Sequence, residues 1–235
     1  MPARPASAFG TLVAQYELDD PNITFDTGRV ATLPNQYNPG THDLVEAAAS
    51  GPLYEAAGWN GQPSCLFDGT SDYLKADSLA AVFTGDDTPC TILVAALWNP
   101  AVGDRMWGFG SNVSAVQFFD AYTDGTNMDI QRMSTAQVNA DGSTALAGRE
   151  IIAMSHTGTT VSTWFNSVKD LDGAASDVPA LAVDQFTFGG TRRAAGALSA
   201  CANVRLSAIW IYSNALSDSA ALGASAAMAK RWPPS

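Results

Sequence analysis

Cysteine, histidine, glutamate and positive charge are all scarce in this chain of 235 residues. Three cysteines, Cys65, Cys90 and Cys201, are too few and too scattered for a disulfide framework or a cysteine-rich zinc site. They read as buried thiols that act as small apolar groups. His42 and His156 are the only histidines, and a zinc site would need both from distant segments. His156 falls at a predicted turn, where an exposed polar side chain is expected. Lys and Arg number 12 against 23 Asp and Glu, a net charge of −11. Phosphate contacts need clustered cations, so nucleic-acid binding is excluded. No apolar run reaches the length of a membrane-spanning helix, which excludes membrane insertion. Charged residues make up only 15% of the chain while hydrophobic residues make up 46%, so whole-chain disorder is excluded too.

The acid is one-sided. Glu17, Glu46, Glu55 and Glu150 are the only glutamates; every other acid is an aspartate. Aspartate favours turns and caps, and with 20 Gly and 12 Pro the composition points to strands joined by many turns. Residues 1–10 form a Pro/Ala arm without periodicity, expected to be flexible alone or ordered by a partner. Residues 1–9, MPARPASAF, hold one arginine and no apolar stretch, which predicts that the chain is not exported through a Sec signal peptide.

Strand patterns follow from residue 11 to 235, read as one domain. Residues 11–18 form a first strand. Residues 19–58 are turn-rich, with short extended pieces such as 29–33. Residues 90–98, CTILVAALW, are apolar on both alternating faces and predict a central strand covered on both sides. Short strands are predicted at 105–109, 116–122, 128–133, 150–155, 161–166, 185–189 and 203–212. Asp124-Gly125 and Asp141-Gly142 supply turns between some of them, and the aspartate pairs Asp19-Asp20 and Asp86-Asp87 read as solvated turns. One helix follows Ser217 as N-cap, with Asp218 in its first turn and Lys230 and Arg231 in its last. Leu222, Ala226, Ala229 and Trp232 are its expected buried face.

Two segments carry a resemblance. Residues 59–74, WNGQPSCLFDGTSDYL, and the closing run FTFGG, VRLSAIWIYSNALSD and KRW resemble the signature of laminin-G-like, concanavalin A-like jelly-roll domains. Asn166-Ser167 stands where such domains often have Asn-Gly. The resemblance implies an all-β, two-sheet antiparallel jelly-roll sandwich with a short C-terminal helix. From the residues themselves, Phe67 and Leu74 point inward, Asp68-Gly69 turns the chain and Asp72 caps the next turn.

The chemistry of catalysis is thin. Glycosidases need two facing carboxyls, and the Glu-x-Asp-x-x-Glu string of concanavalin A-like glucanases is missing. Gly-x-Ser-x-Gly and glycine-rich phosphate loops are missing as well. The chain is therefore read as non-enzymatic and without a cofactor. Relatives of this fold often hold calcium, which leaves calcium open with no ligands assigned. Trp98 and Trp210 lie in apolar strands and read as core. Trp59 sits in a loop, and Trp107 and Trp164 alternate with small or polar residues, so these three are the candidate stacking platforms for a sugar. Arg192 and Arg193 stand out in an acidic chain as candidate partner contacts.

The resemblance, set beside the missing export signal, implies a tailed-phage virion surface protein made in the host cytoplasm. Such a protein would be a capsid decoration or tail and fibre component, present in several copies, docked on a capsid or tail protein and touching host glycans. The alternatives are an extracellular carbohydrate-binding module and a glycan-degrading enzyme.

Overall fold

A computed structural model describes residues 6–46, 49–84, 88–99, 101–146, 148–177, 180–194 and 197–234. Asp86 and Asp87 lie outside them. Two antiparallel layers face each other across an apolar core. In the first layer the long strand Asn203–Tyr212 pairs with Cys90–Trp98 on one side, and with Leu12–Glu17 and Gln62–Asp68 in succession on the other. Cys90–Trp98 then pairs with Arg149–His156, which pairs with Thr160–Phe165. The second layer runs from Leu74–Lys75 through Gln185–Phe188, Arg105–Gly110, Phe118–Thr123 and Met128–Met133 to Gln137–Ala140. The turn-rich stretch supplies Thr24–Asp26, Arg29–Leu33, Leu44–Val45 and Leu53–Trp59. These carry the pairing around one edge, so the two layers form one continuous hydrogen-bonded sheet. Leu53–Trp59 has no alternating apolar pattern, which is why it reads as loop in the sequence.

Strand alternation explains the core. Ile92, Val94, Ala96 and Trp98 point between the layers and meet Phe67, Trp107, Phe109, Phe186, Phe188, Ile209 and Ile211. Leu93 and Ala95, on the opposite face of the same strand, join Ala208, Trp210 and Tyr212 in a second cluster. Its cover is the helix Asp218–Arg231. Cys90–Trp98 is thus covered on both sides, by a sheet and by a helix.

Ser217 Oγ accepts from Ala220 N at the helix start, as its sequence predicts. The buried helix face is Ala221, Ala224, Ser225, Ala227, Met228 and, one turn on, Trp232, while Leu222 and Ala226 face solvent. The expected face was therefore right only at Trp232 and, in part, at Ala229. Small residues at spacing three and four let the helix backbone approach the sheet closely. A helix so rich in alanine has little apolar gradient from which its buried side could be read.

Residues 6–10 also depart from expectation. Ala6–Ala8 form a single 3-10 turn, Ala6 is buried, and its carbonyl accepts from Tyr212 Oη at 3.0 Å. Phe9 lies over Gly223, where a Cβ would come within 3.0 Å of its ring. This part of the arm is ordered by its own chain. Among the described residues no helix is long and apolar enough to cross a membrane.

Candidate functional site

The stretch that carries the resemblance builds scaffold. Asp68 Oδ1 accepts from the backbone of Thr70, Ser71 and Asp72 at 2.8–3.0 Å, closing the turn after Phe67. Asp72 Oδ2 accepts in return from Asp68 N, and Oδ1 takes Arg29 Nη1 at 2.7 Å. Phe67 and Leu74 are fully buried.

None of the three tryptophans expected to stack on a sugar is available. Trp59 is buried and its Nε1 donates to Pro233 O at 2.9 Å, far away in sequence. Trp107 lies in the main core against Phe109 and Phe119. Trp164 packs in the cluster beneath the helix, with Lys169 Nζ 5.4 Å from its ring centre. Each position reads as open in sequence because its covering residues come from other segments.

Arg192 and Arg193 are engaged within the chain. Arg192 Nη1 bonds both oxygens of Asp77, at 2.8 and 3.1 Å. Arg193 lies 4.3 Å over the Phe118 ring and donates to Ser199 Oγ at 3.0 Å. Their strand Thr191–Arg193 pairs with Ala197–Ser199, and this hairpin lies over the glycines of Arg105–Gly110. His156 is buried, against expectation, because Phe119 and Arg132 close over the end of its strand.

Asp129 has no acidic partner along its own strand, but the fold sets Asp124 and Asp141 near it. Burial, seconded by Asp141, pushes its carboxyl up. It serves as a turn acceptor, taking Gly142 N at 2.7 Å. Among the described residues no three His, Cys, Asp or Glu side chains gather to hold a metal ion.

One concavity was not legible in the sequence. It has a volume of about 500 Å³ and is lined by Leu66, Leu97, Trp98, Asn99, Leu146, Gly148, Asn203 and Arg205. Register builds it. Arg205 stands opposite Leu66 on one neighbouring strand and Leu97 on the other, which puts an arginine between two leucines. Glu55, one strand further on, grips that arginine with both oxygens, from Nε at 2.5 Å and Nη2 at 3.0 Å. Ser64 Oγ supports Glu55 at 3.2 Å. The hydrogen bonds from Arg205 hold the Glu55 carboxyl below its ordinary range. At the strand end Trp98 also borders the cavity, while its ring belongs to the core and its Nε1 meets no acceptor among the described residues.

Comparison with protein-family models gives no match, and comparison with curated proteins gives none. Solved structures do match. Domain 4 of AbnA, a GH43 extracellular arabinanase from Geobacillus stearothermophilus in complex with arabinotriose, aligns over 92% of this chain and 98% of its own, at 16% identity and a TM-score of 0.58. The Ruminococcus gnavus IT-sialidase CBM40 bound to α2,3-sialyllactose aligns over 63% of this chain and 86% of its own, at 15% identity and a TM-score of 0.51. A leech intramolecular trans-sialidase aligns over 66% of this chain at 19% identity and a TM-score of 0.54, and this chain spans only 26% of that protein. Nothing in these similar structures speaks for a capsid or tail partner. At such identities the likeness is one of fold, and the chain is an antiparallel jelly-roll β-sandwich with a C-terminal helix.

Proposed function

We propose that this chain is a non-catalytic carbohydrate-binding β-sandwich that takes a glycan in the cavity beside Arg205. The observation that carries the reading is the cavity itself. Leu66, Leu97 and Leu146 offer an apolar wall, and Asn99, Asn203 and Arg205 offer polar groups around it. A sugar has the complementary make-up, with apolar C–H faces and a rim of hydroxyls. Glu55 occupies Nε and Nη2 of Arg205 and so fixes the fork, leaving Nη1 to donate to a hydroxyl. Further support comes from the end-to-end likeness to a domain whose structure contains arabinotriose. None of the described residues lining the cavity is an acid, whereas glycosidic cleavage needs two carboxyls.

The test is calorimetric titration with arabinotriose and with 3′-sialyllactose, alongside an assay for released reducing sugar. Saturable binding without release is expected. Arg205→Ala and, separately, the exposed Asn99→Ala are expected to weaken binding by roughly tenfold, the weight of one directed hydrogen bond. Binding that both variants leave intact would place the glycan elsewhere. Release that survives purification would make the chain an enzyme.

A further inference from the structure

The outer face of the second layer carries an ordered polar chain that the cavity does not use. Antiparallel register sets Asn139, Gln131, Asp120 and Gly108 side by side across four strands. Alternation turns their outward positions away from the core. Gly108 has no side chain, so the Thr191 hydroxyl drops into its place, where a Cβ would be 2.1 Å away, and reaches Asp120 Oδ2 at 3.1 Å. Asp120 is fully buried and holds Arg105 Nε at 2.7 Å. Arg105 Nη2 then points to Gln131 Oε1 at 3.4 Å.

A guanidinium has donors only, so this contact sets the direction of everything beyond it. Gln131, itself nearly buried, must present its oxygen to Arg105 and its nitrogen to the neighbouring strand. There Nε2 donates to Asn139 Oδ1 at 3.1 Å. Gln137 Nε2 donates to the same oxygen at 3.0 Å. A flipped Asn139 would set donors against donors. The exposed end of the chain is therefore specified: Asn139 Nδ2–H as donor and Gln137 Oε1 as acceptor, side by side on the edge strand Gln137–Ala140.

We propose that this donor–acceptor pair is a second carbohydrate contact, one that takes a neutral sugar through hydroxyls on adjacent carbons. The proposal rests on the glycan-binding reading above. A hydroxyl both gives and accepts a hydrogen bond, so two neighbouring ones match one amide donor and one amide acceptor. The surface disfavours acidic sugars, because Asp120 neutralises Arg105 and the whole chain is acidic. With the cavity on the first layer, it gives two contacts on opposite sides of the sandwich.

The experiment is a titration of the isotopically labelled full chain with arabinotriose and, separately, 3′-sialyllactose, following the side-chain amide resonances by NMR. Asn139→Asp keeps the oxygen that Gln131 and Gln137 need and puts a charged acceptor in place of the outward N–H donors. The expected result is saturable movement of the Asn139 and Gln137 amides with arabinotriose. In Asn139→Asp the response at Gln137 should weaken by roughly tenfold while resonances around Arg205 respond as before. Arg205→Ala should do the reverse. Movement confined to the cavity, unchanged by Asn139→Asp, overturns the second contact and leaves the glycan-binding reading standing. Movement at Asn139 with sialyllactose alone overturns its neutral selectivity, and no saturable movement anywhere overturns both readings.

Discussion

Arg132 Nη1 lies 3.0 Å from His156 Nε2, with both side chains almost wholly buried, while the backbone N–H of Gly158 donates to His156 Nδ1 at 3.2 Å. Burial, and then the Arg132 charge, lower the imidazole from its ordinary 6.5 to about 3. The unfolded chain therefore binds a proton below pH 6.5 that the folded chain refuses until about pH 3. His156 makes the fold lose stability as pH falls through that window, by up to about 1.4 kcal/mol per pH unit. His156→Gln keeps an acceptor for Arg132 and cannot be charged. Urea denaturation from pH 7 to pH 3 should show a shallower acid-side decline for the variant. Parallel declines would mean that His156 is not the group responsible.

The turn at Asn166-Ser167 joins Thr160–Phe165 to Val168–Lys169 with only two residues. Both adopt positive φ, 49° and 70°, the pair of angles that favours Asn followed by Gly. Ser167 pays the Cβ penalty of that conformation. Ser167→Gly should raise stability by about 1 kcal/mol, read as a higher denaturant midpoint at unchanged slope.

Gly110 lies directly under the arginine hairpin. A Cβ there would sit 2.0 Å from the backbone oxygen of Arg192, which cannot swing aside as a side-chain tip would. Gly110→Ala should cost about 1–3 kcal/mol and displace Thr191–Arg193. A Gly110→Ala variant as stable as the parent chain would show that the hairpin moves aside without cost.

Trp210 fills the space between the first layer and the helix, and its Nε1 donates to the buried Glu17 at 3.0 Å. Arg231, in the last turn of the helix, pairs with the same carboxylate. Trp210→Ala should cost about 3–5 kcal/mol by thermal or chemical denaturation. Trp210→Phe keeps most of the packing and loses the hydrogen bond, so its cost should be roughly 1–2 kcal/mol. Equal costs for the two would place the weight on the Glu17 contact.

Much of the architecture is legible in local sequence. The alternation in residues 105–109, 128–133 and 203–212 and the doubly apolar run 90–98 become strands with boundaries shifted by a residue or so. The C-terminal helix follows its cap. What covers each face was not legible. Trp98 and Trp210 read alike as core, yet Trp98 lies between the layers and Trp210 beneath the helix. Trp59, Trp107 and Trp164 have polar or small neighbours in sequence and are buried by residues from elsewhere.

Strand, turn and helix follow from neighbouring residues, because alternation, turn chemistry and capping act over a few positions. The sequence by itself thus determined an all-β chain with one closing helix. The cavity and the directed amide chain are decided by register between distant strands. Glu55 and Arg205 are 150 positions apart, and Asp120 meets Thr191 across 71. A contact of that kind has no local pattern, since a side chain's partner depends on which strand lies beside its own and on the pairing of every strand between them. Only the tertiary structure sets a lone glutamate beside the arginine that lines the cavity.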